Sequence, residues 1–182
     1  MNTFNGKYRI DSTRMRNWDY AWKGSYFITI CTANREYFFG DISNGKMKLS
    51  TIGKMVKYEW LQTFDMRTDM NLSCGAFVVM PNHFHALITI GKNDYNHPTN
   101  DSTKNNKNKN NPKNKFGPQS KNLPSIVRGF KSAVTKNARQ IHADFGWQPG
   151  YHDHMIRNIE EYDRIKNYII NNPKNWKKDR FR

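Results

Sequence analysis

The run "VVMPNHFHALITI", residues 78–90, carries two imidazoles two positions apart in an otherwise apolar stretch. Burying a polar ring without a partner costs about 1–3 kcal/mol. His83 and His85 therefore each need a ligand or a hydrogen bond. Successive strand side chains alternate faces, so the two histidines share one face and Phe84 takes the other. Such a pair can chelate a metal ion, or it can be a structural pair satisfied by polar neighbours. A metal needs more than two ligands, and the stretch "RNIEEYDRIKNYIINNP" offers oxygen donors. There Tyr168 and Asn172 are four apart and lie one above the other on a helical face. Both have ordinary roles open to them. Tyr168 borders the apolar stripe of Tyr162, Ile165 and Ile169, while Asn172 before Pro173 suits a helix C-cap. A second pair, His152 and His154 in "YHDHMI", flanks Asp153 and resembles a zinc cluster in its ligand chemistry. It supports an alternative reading as a His/Asp zinc hydrolase. His97 and His142 read as surface residues.

The bulk charge points to a partner. Thirty Lys and Arg against 15 Asp and Glu give +15 over 182 residues. Removing residues 92–121, which hold seven lysines and two aspartates, still leaves +10, so the folded body itself is basic. Nucleic acid is the natural counterpart, because neutralising phosphates releases counterions. Two unpaired cysteines, Cys31 and Cys74, argue for a reducing compartment and against a disulfide scaffold. No apolar run reaches the roughly 20 residues of a membrane span, and the start of the chain lacks the apolar segment of a signal peptide. The expectation is a cytoplasmic protein with no membrane partner.

The elements that must hold these groups follow from periodicity. "SYFITICT" (25–32), "GKMKLS" (45–50), "SCGAFVVM" (73–80) and "HFHALITI" (83–90) read as strands, the last two joined by a Pro81-Asn82 turn. A polar arm bearing Trp18 and Trp22 precedes the first. Helical spacing runs from Thr51 to about Thr68 through Ile52, Val56, Trp60, Leu61 and Phe64, capped by Ser50 or Thr51. A second helix spans about Ser125 to Ala143, with Ile126, Val127, Phe130, Val134, Ala138 and Ile141 as its apolar positions. After a loop and a short extended segment, the last helix starts at Asn158, with Glu161 placed to complete a reciprocal cap, and stops at Pro173. Residues 92–121 are Asn/Lys-rich with almost nothing apolar, which reads as a disordered insertion within one domain spanning 1–182. The order implies an α+β fold with helices on an antiparallel sheet.

"YFITICTANR", "VVMPNHFHALI", "WQPGYHDHMIRN" and "YIINNP", in that order, resemble the REP-associated tyrosine transposases of the single-tyrosine HUH superfamily. The resemblance runs from about Tyr26 to Trp176 and skips the insertion, whose presence departs from compact members. It implies a ferredoxin-like, RNA-recognition-like sheet carrying His83 and His85 on a central strand. It also implies Tyr168 as nucleophile and Asn172 as a third ligand to a divalent metal, Mg²⁺ or Mn²⁺. The implied partner is single-stranded or hairpin DNA and the implied reaction is transesterification through a 5′-phosphotyrosine, by a monomer or a homodimer. A competing reading from another class is a non-catalytic binder of single-stranded nucleic acid that uses stacking aromatics and basic residues.

Overall fold

The structure is a computed structural model that describes residues 18–96 and 120–182. In chain order its elements are strand β1 (Gly24–Cys31), β2 (Gly40–Ser43), β3 (Lys46–Leu49), helix α1 (Thr51–Asp65), β4 (Leu72–Met80), β5 (His83–Ile90), α2 (Leu123–Ala138), β6 (His152–Ile156) and α3 (Ile159–Asn171). A 3₁₀ segment, Asn172–Lys178, follows α3 directly. The main sheet is antiparallel in the order β4-β5-β1-β6. With the units β1-α1-β4-β5-α2-β6, this is the expected α+β, ferredoxin-like arrangement.

Alternation along β5 divides the protein into two layers. Phe84, Ala86 and Ile88 face α1 and α2, where Trp60 meets Phe84 and Phe130 edge to face with ring centroids 5.1 and 5.3 Å apart. Leu87 points the other way and packs with Ile165 and Ile169 of α3. The histidines share this second face, so α3 is the element that meets them. Apolar burial on both faces makes the central strands rigid, and a rigid strand holds a ligand in place better than a loop does.

Several expectations are decided or corrected in detail. Of its two candidate caps, α1 uses Ser50, which accepts from the Gly53 N–H at 3.0 Å. Leu61 and Ile141 are 41% and 51% exposed. Leu61 lies one position beyond the buried Ile52-Val56-Trp60 stripe, which Thr63 extends by donating its hydroxyl to the Glu59 carbonyl. Ile141 lies past the end of α2. The Glu161 carboxylate does not complete a reciprocal cap: the Asn158 side chain accepts from the Glu161 N–H at 2.8 Å, but Glu161 accepts from the Arg157 N–H and contacts His154. The segment 45–50 does form a strand, yet it pairs only with β2 in a separate hairpin. Most of 92–121, and His97, lie outside the described residues, while Asn93 and Asn96 at its start are tied by side-chain hydrogen bonds to the Met70, Gly91 and Ala21 carbonyls.

Gly40 opens that hairpin at φ +125°, and a Cβ there would stand 2.0 Å from the Lys48 carbonyl oxygen. The dihedral alone costs a non-glycine residue about 1–3 kcal/mol, and the backbone overlap adds to it. Gly40→Ala is expected to lower the urea midpoint by at least that equivalent. An unchanged midpoint would show that the hairpin is not coupled to global stability.

Candidate active site

His83 is the first residue of β5 and His85 follows on the same face, with ring centroids 4.5 Å apart. Both are fully buried. A polar neighbour engages Nδ1 of each ring. The Asn82 amide donates through Nδ2 to the Phe181 carbonyl at 2.8 Å, which turns its Oδ1 toward His83 Nδ1, also at 2.8 Å. His83 therefore carries its proton on Nδ1 and presents a lone pair at Nε2. His85 Nδ1 is 2.8 Å from Thr29 Oγ1 on β1, and its Nε2 is 3.3 Å from the Tyr168 hydroxyl. An outer hydrogen bond to Nδ1 of each imidazole, with Nε2 on the opposite side of the ring, is the arrangement of a ligand histidine.

The end of α3 supplies the remaining groups. Tyr168 is 42% exposed, with its ring edge-on to Phe27 at 6.1 Å. One turn on, Asn172 is both the C-cap of α3 and buried, and its Oδ1 has no hydrogen-bond partner; His83 Nε2 is likewise buried and unpaired. Such groups lose their hydration with no replacement. Each of the two is a lone-pair donor that a cation could use. The segment beyond the 3₁₀ turn closes over them. Asp179 Oδ2 is 3.9 Å from His83 Nε2, and the Phe181 ring lies 5.1 and 5.6 Å from the rings of His83 and His85. Ligand atoms of His83, His85 and Asp179 all lie within 4.8 Å of one another.

Burial pushes the His83 imidazole down to about 4, with the Arg35 charge adding to this and Asp179 opposing it. Burial, then His83 and Arg180, hold His85 well below its ordinary value. Both rings are thus neutral and able to bind metal near pH 7. Burial raises the Tyr168 phenol, as does Asp179, while a hydrogen bond from Asn172 and the Arg180 charge work against them.

A stability prediction follows from His83. A histidine whose folded pKa lies below its unfolded value contributes its full share of stability above about pH 6.5, and that share is lost as pH falls through 6.5 toward 4. From pH 7 to 5 the loss from this residue is about 2 kcal/mol. Thermal melts should show the drop in the parent, and His83→Gln should flatten it. Parallel pH profiles would rule out a buried neutral ring.

Of the four groups singled out in the sequence, His83, His85 and Tyr168 are brought together, and Asn172 reaches them through its side-chain hydrogen bond to Tyr168. The rival cluster does not form. His152 and His154 are exposed on the histidine face, whereas Asp153 pairs in register with Ile28 and points to the opposite one. His154 Nε2 is engaged with Glu161 Oε1 at 2.8 Å. His142 is exposed and meets Phe38 edge to face. Sequence reasoning missed Asn82, Thr29, Asp179 and Phe181. The only signal for Asp179 was one acid inside the basic run "KKDRFR".

No family model matches the chain. An uncharacterized protein of Haemophilus influenzae is 36% identical over 172 residues, covering 92% of this chain and 90% of that protein. Among solved structures, a REP-associated tyrosine transposase bound to a REP hairpin superposes with a TM-score of 0.59 at 19% identity, covering 92% of this chain and 74% of that one. At that identity the likeness establishes a common fold. It bears out, at the level of the fold, the resemblance carried by the four motifs.

Proposed function

Because the chain belongs to one family with the Haemophilus influenzae protein and shares the fold of a hairpin-bound tyrosine transposase, we propose that it is a transposase-like enzyme that cuts and rejoins single-stranded DNA through Tyr168. The observation that supports this reading is a pair of buried, adjacent imidazoles with the Tyr168 hydroxyl 3.3 Å from His85 Nε2, together with two buried polar atoms that lack partners, His83 Nε2 and Asn172 Oδ1.

Bound to these nitrogen and oxygen donors, Mg²⁺ or Mn²⁺ would supply Lewis acidity toward a phosphoryl oxygen, Mn²⁺ being more at ease beside imidazole. The residues of the chain do the rest. Asn82 holds His83 in the metal-binding tautomer, and Thr29 anchors His85 at Nδ1. Asn172, fixed at the junction of α3 and the 3₁₀ turn, sets the distance between the ligands and the nucleophile one turn earlier. Tyr168 Oη attacks phosphorus, forming an O–P bond as the P–O3′ bond breaks, and the phenolic proton is balanced by the one gained by the departing 3′-hydroxyl. The 5′-phosphotyrosine keeps the phosphoester energy, so a 3′-hydroxyl can reverse the step without ATP. Among the described residues no helix is long and apolar enough to cross a membrane.

Incubation with a single-stranded or hairpin oligonucleotide and Mn²⁺ should yield an adduct that survives SDS. DNA binding with no adduct under any metal would favour the non-catalytic binder instead.

The insertion gives a separate expectation. Deleting residues 95–120 removes five lysines while leaving the site residues in place. A long polar surface insertion adds little loop-closure entropy. The deletion should therefore keep adduct formation and lower the slope of log affinity against log salt by about 0.7 for each lost phosphate contact on a single strand. Filter binding over a salt series measures it, and an unchanged slope would make the tract a passive spacer.

A further inference from the structure

We propose that Asp179 is a ligand to the same cation, so that the segment 179–181 completes the metal site and does not merely cover it. This rests on the metal reading above. The Asp179 side chain is 2% exposed, and no lysine or arginine among the described residues lies within ion-pair distance of it. Its Oδ1 accepts from the Phe181 N–H at 2.7 Å, which leaves Oδ2 aimed at His83 Nε2 across 3.9 Å. That gap is too long for a hydrogen bond. The Asn82 contact puts the His83 proton on Nδ1, so the Nε2 lone pair and the Asp179 carboxylate face each other as two acceptors. Two buried acceptors face to face are unfavourable unless a cation joins them.

The carboxylate is delivered by an anchor built for that purpose from several kinds of contact. The Phe181 ring is buried against His83 and His85, with the Arg35 and Arg180 guanidinium groups 5.3 and 4.6 Å from its centroid. Its carbonyl takes the Asn82 amide, the same amide that sets the His83 tautomer. One residue pair thus positions two ligands: Phe181 through its N–H holds Asp179, and through its carbonyl and Asn82 it holds His83. Adding a carboxylate to three neutral donors also changes the site's charge. The cation would be held before DNA arrives, and part of its charge would be neutralised before it meets a phosphate.

Calorimetric titration of the full-length protein with MnCl₂, without DNA, tests this. Asp179→Asn is near-isosteric and keeps an acceptor for the Phe181 N–H. Loss of an outer-shell partner already costs metal sites about 10- to 100-fold in affinity, so loss of a direct ligand should weaken Mn²⁺ binding at least tenfold. Asp179→Glu, which keeps the charge, should regain part of this. Phe181→Ala should weaken binding in the same direction, and His83→Gln should abolish it. Parental affinity in Asp179→Asn alongside loss in His83→Gln overturns the Asp179 assignment and leaves the proposed function standing. No Mn²⁺ uptake by the parent overturns both.

Discussion

Tyr168→Phe is expected to abolish covalent capture of DNA, by more than about 10³-fold, while leaving DNA affinity essentially unchanged. A displaced nucleophile has no substitute among the site's other side chains, and removing one from an enzyme typically costs orders of magnitude in rate. The substitution deletes one oxygen. The ring keeps its edge contacts with Phe27 and His85, at 6.1 and 5.4 Å, so the end of α3 stays where it is. Denaturing gels of a labelled oligonucleotide with Mn²⁺ read the outcome. Tyr162 makes a sharp control because it sits on the same helix, yet its hydroxyl lies toward Gly75 of β4, away from the histidines. Tyr162→Phe should retain the adduct. An adduct with Tyr168→Phe, or its loss with Tyr162→Phe, would place the nucleophile elsewhere.

Why the sequence could announce this much has a physical basis. β5 is legible because a buried strand tolerates a polar pair only for a reason, and alternation then assigns its face. α3 is legible because Asn158 before "IEEYDRI" is a strong start signal and Tyr168 and Asn172 are one turn apart. Local rules reach no further than a turn or a strand. The β2/β3 hairpin was half missed although its Asn44-Gly45 turn, with both residues at positive φ, is a two-residue hairpin signal. The flanking strands are only four residues each and carry no apolar run. Asp179 and Phe181 were not legible at all. Their roles depend on how the chain folds back after the 3₁₀ turn to reach Asn82, 99 positions away, and nothing in "KKDRFR" encodes that return. Glu161 was misread for a related reason: a capping box is a local prior, and a nearer partnership with Arg157 and His154 displaced it.

The second large effect separates the two histidine pairs. His83→Ala and His85→Ala should each reduce metal-dependent cleavage by more than about 10³-fold, because the neutral donor set is already small and the loss of either imidazole leaves too few ligands to orient a phosphate. Stability should respond differently. Each ring is fully buried, so truncation leaves a cavity; at His83 it also removes a nitrogen that has no hydrogen-bond partner, and at His85 it removes the contacts to Thr29 and Tyr168. The net change in folding free energy should stay within about 2 kcal/mol, too little to account for lost cleavage at 25 °C. His152→Ala should leave Mn²⁺ affinity unaltered, since His152 is exposed and its ring centroid is 6.4 Å from that of Phe181. Calorimetry with Mn²⁺ and gel-based cleavage assays on the same three variants, with melting temperatures recorded beside them, make the distinction. Retained Mn²⁺ affinity in both strand variants would move the metal to another part of the protein. Equal losses in all three would point to damage of the sheet, because β1, β5 and β6 share one continuous ladder through Thr29, His85 and His152.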